Sequence, residues 1–399
     1  MDRRLRLGVT AIGLAFVIAI VLGATGALVP AGQAAASGAS TLTILSGSVL
    51  LRHAGGDFGL AADGTVLVAG DTIKTGAAAR AVLTYFEGST VEMEPDSELT
   101  IDAARSDPNG DTIIVMQQDL GVTWHVVTHL ITTGSMYEIH TSTATASVRG
   151  TQFTVAVAAD GTTTETTTEG AVADTDAQGT TTVLTLPGHQ TTTRKGEAPS
   201  PPAPVVAPDR TVTVTVADED ALVVDTLGRA NGLKDGKKVL QTPGAQLKVI
   251  DGHLVVTLPN VPDGALTTHL AGGNSDTDVT TKVEDHGKPA VEVRDTVAPG
   301  TNSGVDIMSG PGAAPTIEKR TDPAAAPSPK IGRAPSRPTR SSDLAAVAFS
   351  ARDATLPATA RSDGQPASSG RSTGYAIQLT VPVPYARATL TSGSNQNTR

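Results

Sequence analysis

The chain has 399 residues, no cysteine, ten aromatic residues and a formal net charge of −10. That length has room for two domains with tails, and the missing thiols exclude a disulfide framework, Cys-ligated zinc or iron–sulfur centres and cysteine nucleophiles. The acidic balance excludes a general nucleic-acid binder, which needs clustered Lys and Arg against phosphate.

The charge is unevenly spread. Arg3, Arg4 and Arg6 make the first residues basic, residues 312–399 hold eleven Lys and Arg against five Asp and Glu, and the middle of the chain carries −18. The basic start MDRRLR leads into an uncharged apolar run from Leu7 to Val29, followed by Pro30 and AGQAAASGAS. About 20 helical residues cross a bilayer core, so the run is long enough for an anchor. The small residues at Gln33–Ala36 equally offer a signal-peptidase site. Residues 1–36 are therefore expected to be an apolar helix serving as signal peptide or signal anchor, with the rest of the chain exported. The product belongs to the cell envelope, membrane-anchored and facing outward, or secreted if the segment is cleaved.

Residues 41–195 alternate with period two in short runs such as TLTILSGSVLLRHA, AARAVLTYFEG, DTIIVMQQDLG and QFTVAVAADG, separated by Gly and Asp turns. This predicts an all-β domain of antiparallel strands, built as a sandwich, roll or solenoid-like stack. Six of the ten aromatic residues fall here, at Phe58, Tyr85, Phe86, Trp124, Tyr137 and Phe153. They are expected to pack its core, with Trp124 also a candidate for contact with a ligand.

Several segments of this region occur in an order that resembles the FecR-type domain, a family named after the periplasmic regulator of iron-dicitrate transport. They are Thr75-Gly76, Glu87-Gly88-Ser89, Leu120-Gly121, Val148 to Val155 with Arg149, Gly150, Thr151 and Phe153, and Glu169-Gly170 through Val172. The residues themselves read as structural. Glu87-Gly88 is a hairpin turn, and Gly150 permits a bulge or close backbone approach between two strands that place Phe153 and Val155 on one side. Arg149 is expected to pair with a carboxylate or line a surface. In regulators of this family, the resemblance implies, an exported domain receives a signal from an outer-membrane partner and a cytoplasmic N-terminal region acts on a sigma factor. Only the six residues MDRRLR precede the apolar run here, so the anti-sigma activity is not expected to carry over.

Residues 196–209, GEAPSPPAPVVAPD, read as a Pro-rich semi-rigid linker. From Arg210 to about 311 the alternation resumes in about seven strands without a single aromatic residue, which predicts a β-sandwich-like domain with a core of Val, Leu and Ile. The segment Asp225 to Gly232 with Pro243-Gly244-Ala245 loosely resembles a β module attached to bacterial surface proteins. Residues 312–399 are rich in Pro, Ala, Ser and Arg, too poor in large apolar groups to offset chain entropy, and are expected to form a disordered basic tail.

No motif assigns a catalytic role. The sequence contains no HExxH, phosphate-loop or dinucleotide pattern, and catalytic, cofactor and metal residues are all expected to be absent. His125 and His129 share one strand face as a weak metal pair. Two calcium-like stretches, DPNGD at 107–111 and GGNSDTDVT at 272–280, read more simply as polar hairpin turns. The expectation is a non-enzymatic, exported or membrane-tethered module that senses or binds an envelope protein or surface polymer, touching the membrane through its N-terminal segment if that is uncleaved. The rival is a structural or adhesive surface protein whose β domains act as spacers.

Overall fold

The alternating runs become strands because one side of each can be buried between two layers while the other faces outward. The computed structural model describes residues 36–128, 130, 132–270, 275–309, 314–320 and 328–335, and among them every regular element is a β-strand. The expected N-terminal helix lies outside the described residues. Among those that are described, no helix is long and apolar enough to cross a membrane.

The first eighteen strands are β1 (Ala36–Ser37), β2 (Ser40–Ser46), β3 (Val49–Arg52), β4 (Gly59–Leu60), β5 (Val66–Leu67), β6 (Thr72–Thr75), β7 (Arg80–Tyr85), β8 (Thr90–Met93), β9 (Glu98–Ser106), β10 (Thr112–Val126), β11 (Met136–His140), β12 (Ala144–Val148), β13 (Gln152–Val157), β14 (Thr163–Glu169), β15 (Val172–Asp176), β16 (Thr182–Thr185), β17 (His189–Thr193) and β18 (Ala203–Pro204). All belong to one hydrogen-bonded network. Its pairings nevertheless form no ring, and resolve into two layers that share β10. One runs β4-β3-β6-β9-β10-β11-β12-β15-β16, with β1 beside β6 on the free edge of β9. The other runs β5-β2-β7-β8-β10-β13-β14-β17-β18. The pairs are antiparallel except β10 with β11. The chain changes layer every one or two strands, which makes a two-layer stack, and β18 brings part of the expected linker onto β17.

Inward-facing side chains of both layers form a common core that includes Leu42, Leu83, Met93, Ile101, Ile114, Tyr137 and Phe153. Four of the six aromatics predicted to pack there are buried, whereas Phe58 and Phe86 are only partly so. Phe58 instead lies under two cations, Arg52 and Lys74, each 4.6 Å from its ring centre, which cover a ring on the short β3–β4 edge.

β10 serves both layers by bending at Gly121. Its first half pairs with β9 and β11, and its second with β8 and β13, with register shifts against β9 just before the crossing. Gly121 has φ +86°, and a Cβ there would lie 2.5 Å from Ser97 Cα and 2.7 Å from Asp96 O, both backbone atoms. Left-handed strain and overlap act together, so Gly121→Ala is expected to destabilise by about 3 kcal/mol, read as a lower denaturant midpoint with circular dichroism unchanged below the transition.

Farther along the stack, the interior changes character. Thr163, Glu165, Thr167, Asp174, Thr185, Thr191 and Thr193 are all buried, where earlier strands put hydrocarbon. Glu165 faces Thr191 in register across β14 and β17. Thr191 meets Thr185 at 2.6 Å, and the Thr185 hydroxyl donates to Asp174 Oδ2 at 2.5 Å. Both Glu165 oxygens and Asp174 Oδ1 lack a hydrogen-bond partner.

The remaining strands are β19 (Arg210–Val216), β20 (Ala221–Val224), β21 (Ala230–Lys234), β22 (Lys237–Leu240), β23 (Gln246–Ile250), β24 (His253–Pro259), β25 (Gly264–Leu270), β26 (Thr277–Asp285), β27 (Val291–Val297), β28 (Asn302–Met308) and β29 (Thr316–Lys319). They form a five-stranded sheet, β23-β24-β19-β26-β27, and a six-stranded one, β22-β21-β20-β25-β28-β29. Their shared core is Val, Leu, Ile and Ala, as composition requires. More strands occur here than the seven expected, because tight turns interrupt the runs. Asp235 and Gly236, with φ +51° and +69°, turn β21 into β22 within two residues. β29 also corrects the expected tail: Thr316–Lys319 pairs with the edge strand β28, because an open ladder needs backbone groups rather than large side chains. Residues 336–399 lie outside the described residues.

Candidate functional site

Alternation in β7 and β8 sends Leu83, Tyr85, Val91 and Met93 into the core and leaves Val82, Thr84, Thr90 and Glu92 on the outer face. Such a face would ordinarily be wet. Here Val82, Thr84, Glu92 and Trp124 are all buried, because β20–β22 and residues 328–335 lie against them. Trp124 Nε1 donates to Leu240 O at 3.1 Å, and Val126 packs on the core of the second sheet pair. The Trp124 ring is therefore a joint between the two β bodies.

A buried ion network lies beside it. Arg229 donates from Nη1 to Glu94 Oε1 at 2.8 Å and from Nε to Asp225 Oδ2 at 2.7 Å, while Arg80 holds the other Glu94 oxygen at 2.9 Å. The Asp225–Gly232 segment noted in the sequence supplies most of this. Asp225 also accepts from Thr242 Oγ1, and the amide of the buried Asn231 joins Arg229 O and Thr242.

Between the outer face and the β21–β22 hairpin runs a cleft of about 970 Å³. Glu87, Glu92 and Glu169 lie along one wall, and Lys234, Lys237 and Lys238 along the other. Glu92 is 2% exposed and neither of its oxygens has a hydrogen-bond partner. Burial pushes its carboxyl well above the usual range, although Arg229 pulls the other way. Burial also raises Glu87, whose Oε1 accepts from Ser89 N while Oε2 is unpartnered. The exposed groups along the cleft include Glu169 on one wall and Lys234, Lys237 and Lys238 on the other, so the two walls present opposite charges to whatever enters it.

The family-motif residues divide between this cleft and the frame behind it. Gly88, Gly150, Thr151 and Glu169 line the cleft, and Ser89 supports its rim by accepting from Thr128 N at 2.9 Å. Thr151 donates to Ala171 O at 3.1 Å, with Gly170 packed over Gly150 O. Glu169 accepts from Gln152 and from Lys238, the latter at 3.3 Å. Thr75, Gly76 and Gly121 gather instead where β10 changes layer. Thr75 Oγ1 donates to Glu94 O at 2.7 Å and accepts from Ser97 N at 2.9 Å, and Gly76 N donates to Ser48 O at 3.1 Å. Phe153 is a core ring. Among the described residues Arg149 meets no carboxylate, and it does not line the cleft; its guanidinium donates to the carbonyls of Thr132 and Thr133.

His125 is unsuited to a metal. It is fully buried, stacked 4.7 Å from Phe153, and has Nε2 2.7 Å from Thr123 Oγ1 and Nδ1 3.0 Å from Tyr137 Oη. Thr123 gives its proton to Gln118 Oε1, so His125 Nε2–H donates to Thr123 and Nδ1 accepts from Tyr137. Burial lowers its pKa to about 3, which keeps the ring neutral. His129 and residues 272–274 lie outside the described residues. In the DPNGD turn Asp107 Oδ1 accepts from the backbone of Asn109 and Asp111, each at 2.9 Å, which is the geometry of a hairpin.

Glu92 and the Lys234–Lys238 hairpin were not singled out in the sequence, and nothing local to Glu92 marks its face of the strand as covered.

A family model described as FecR protein matches residues 71–173. No curated protein matches the chain. Two crystal structures of candidate anti-sigma factors from Parabacteroides distasonis resemble part of it. Each is 16% identical over 33% of this chain and 59% of its own, with TM-scores of 0.28 and 0.29. The chain thus spans about three fifths of those proteins' length, and at such low TM-scores the likeness carries no argument.

Proposed function

We propose, given that residues 71–173 are a FecR domain, that the chain is an extracytoplasmic sensing or binding module that takes a protein partner at the cleft and acts by binding rather than catalysis. The basic and apolar start of the sequence supports the location. The observation that carries the site is a cleft of about 970 Å³ with Glu87, Glu92 and Glu169 along one wall, Lys234, Lys237 and Lys238 along the other, and four motif residues lining it.

The test is chemical cross-linking of the full chain in an envelope fraction, compared with Glu169→Lys and Lys237→Glu, which reverse charge at exposed cleft positions. A specific partner is expected to be captured at least tenfold less by both variants. Capture of the same proteins in equal amounts by all three chains would overturn the site.

A further inference from the structure

Residues 328–335, Ser-Pro-Lys-Ile-Gly-Arg-Ala-Pro, have no regular secondary structure and cross the cleft as a third wall. Their seat is specific. Lys330 Nζ donates to Ile44 O at 2.8 Å, and Gln241 Nε2, from the opposite wall, donates to Lys330 O at 2.8 Å. Gly332 then passes so close to β7 that a Cβ on it would lie 2.0 Å from Thr84 Oγ1. A side chain at that point would have to turn the Thr84 hydroxyl aside, so the seat favours glycine two residues after the anchored lysine, a Lys-X-Gly pattern.

Three features suit a recognition groove better than a permanent part of the fold. The segment has none of the ladder bonds that hold strands β1 to β29, and is anchored by the two bonds to Lys330. Pro329 and Pro335 bracket it and favour an extended backbone, which lowers the entropy lost when such a segment binds a groove. The cleft also keeps about 970 Å³ with the segment seated.

We propose that the cleft is a groove for an extended peptide of Lys-X-Gly pattern between prolines, and that residues 328–335 occupy it from within the chain, so that a partner's segment must displace them. The inference rests on the cleft being the partner site.

The probe is a fluorescein-labelled synthetic peptide of residues 328–335, titrated into the full chain and followed by anisotropy. Gly332→Leu removes the fit of the internal segment, and Lys330→Glu, at an exposed side chain, removes its anchoring donor without touching the β bodies. Both variants are expected to bind the free peptide at least tenfold more tightly than the parent chain, with unchanged thermal melts. A peptide carrying leucine in place of its glycine is expected not to bind any of them. Equal binding to all three chains, or none to any, overturns the internal-occupant reading. If the cross-linked partner is lost in Glu169→Lys while the peptide shows no difference, the partner site stands and only this inference fails. If the peptide behaves as expected while cross-linking ignores the cleft, the groove stands and the partner reading fails.

Discussion

Arg229→Met is expected to be among the most destabilising single substitutions in the chain, by about 3–5 kcal/mol, because it removes the cation and leaves its carboxylates buried. Arg229 is 5% exposed and pairs with Glu94 and Asp225, and its charge also offsets Glu92. Methionine restores the length of the side chain and none of its charge, so the loss is electrostatic rather than a cavity effect. The remaining carboxyl groups must then take up protons or remain charged out of water, and the defect should be larger at pH 8 than at pH 5. Arg294→Met is the control: its pair with Glu292 is 82% exposed on the arginine side, and a surface pair contributes about 0–1 kcal/mol. Urea denaturation of both variants at the two pH values checks the contrast, and equal midpoints would show that the network is dispensable.

The carboxyl pair between the layers has the opposite dependence on charge. Asp174 is pushed up to about 7 by burial, against a hydrogen bond from Thr185 that favours ionisation. Glu165 is raised by burial and by the nearby Asp174. In the unfolded chain both ionise near pH 4. Between that pH and their folded values the native state holds more protons than the unfolded one, so stability is full at about pH 4 and below, falls as pH rises from there, and for Asp174 levels off above about 7. For Asp174 alone the difference amounts to about 4 kcal/mol. Asp174→Asn keeps an acceptor for Thr185 and removes the charge, and is expected to raise Tm at pH 8 by about 10 °C while changing little at pH 4. A variant that melts with the parent at pH 8 would refute the assignment. Asp263 works the other way. Hydrogen bonds from Arg210 and Ser309 hold it down to about 2, so its contribution is present above pH 4 and is lost as pH falls toward 2. Together these opposite slopes place the stability maximum in mild acid.

The motif residues show how far the sequence could be read. Gly121 and Gly88 mark sharp changes of direction, and both occur at turns or crossings where backbone shape is dictated locally. Arg149 was expected to find a carboxylate or a surface, and finds two carbonyls of a loop seventeen and sixteen residues earlier. TTETTTE, β14, has the composition of a solvated strand, yet it places Glu165 fully inside. Alternation tells which residues share a face; it does not tell what lies on that face.

What the sequence by itself determined is the all-β class, the aromatic-free second core, the order of the FecR segments and the glycines at which the chain must bend, because period, side-chain volume and backbone freedom act over a few residues. Only the tertiary structure decided that Glu92 borders a cleft and Trp124 a joint between the two β bodies rather than water, that Arg229 reaches Glu94 across 135 residues, and that residues 328–335 return to β2 and β7. Those outcomes depend on which layer each strand joins and which body covers its outer face. Both are settled by burial summed over the whole chain, which no local pattern records.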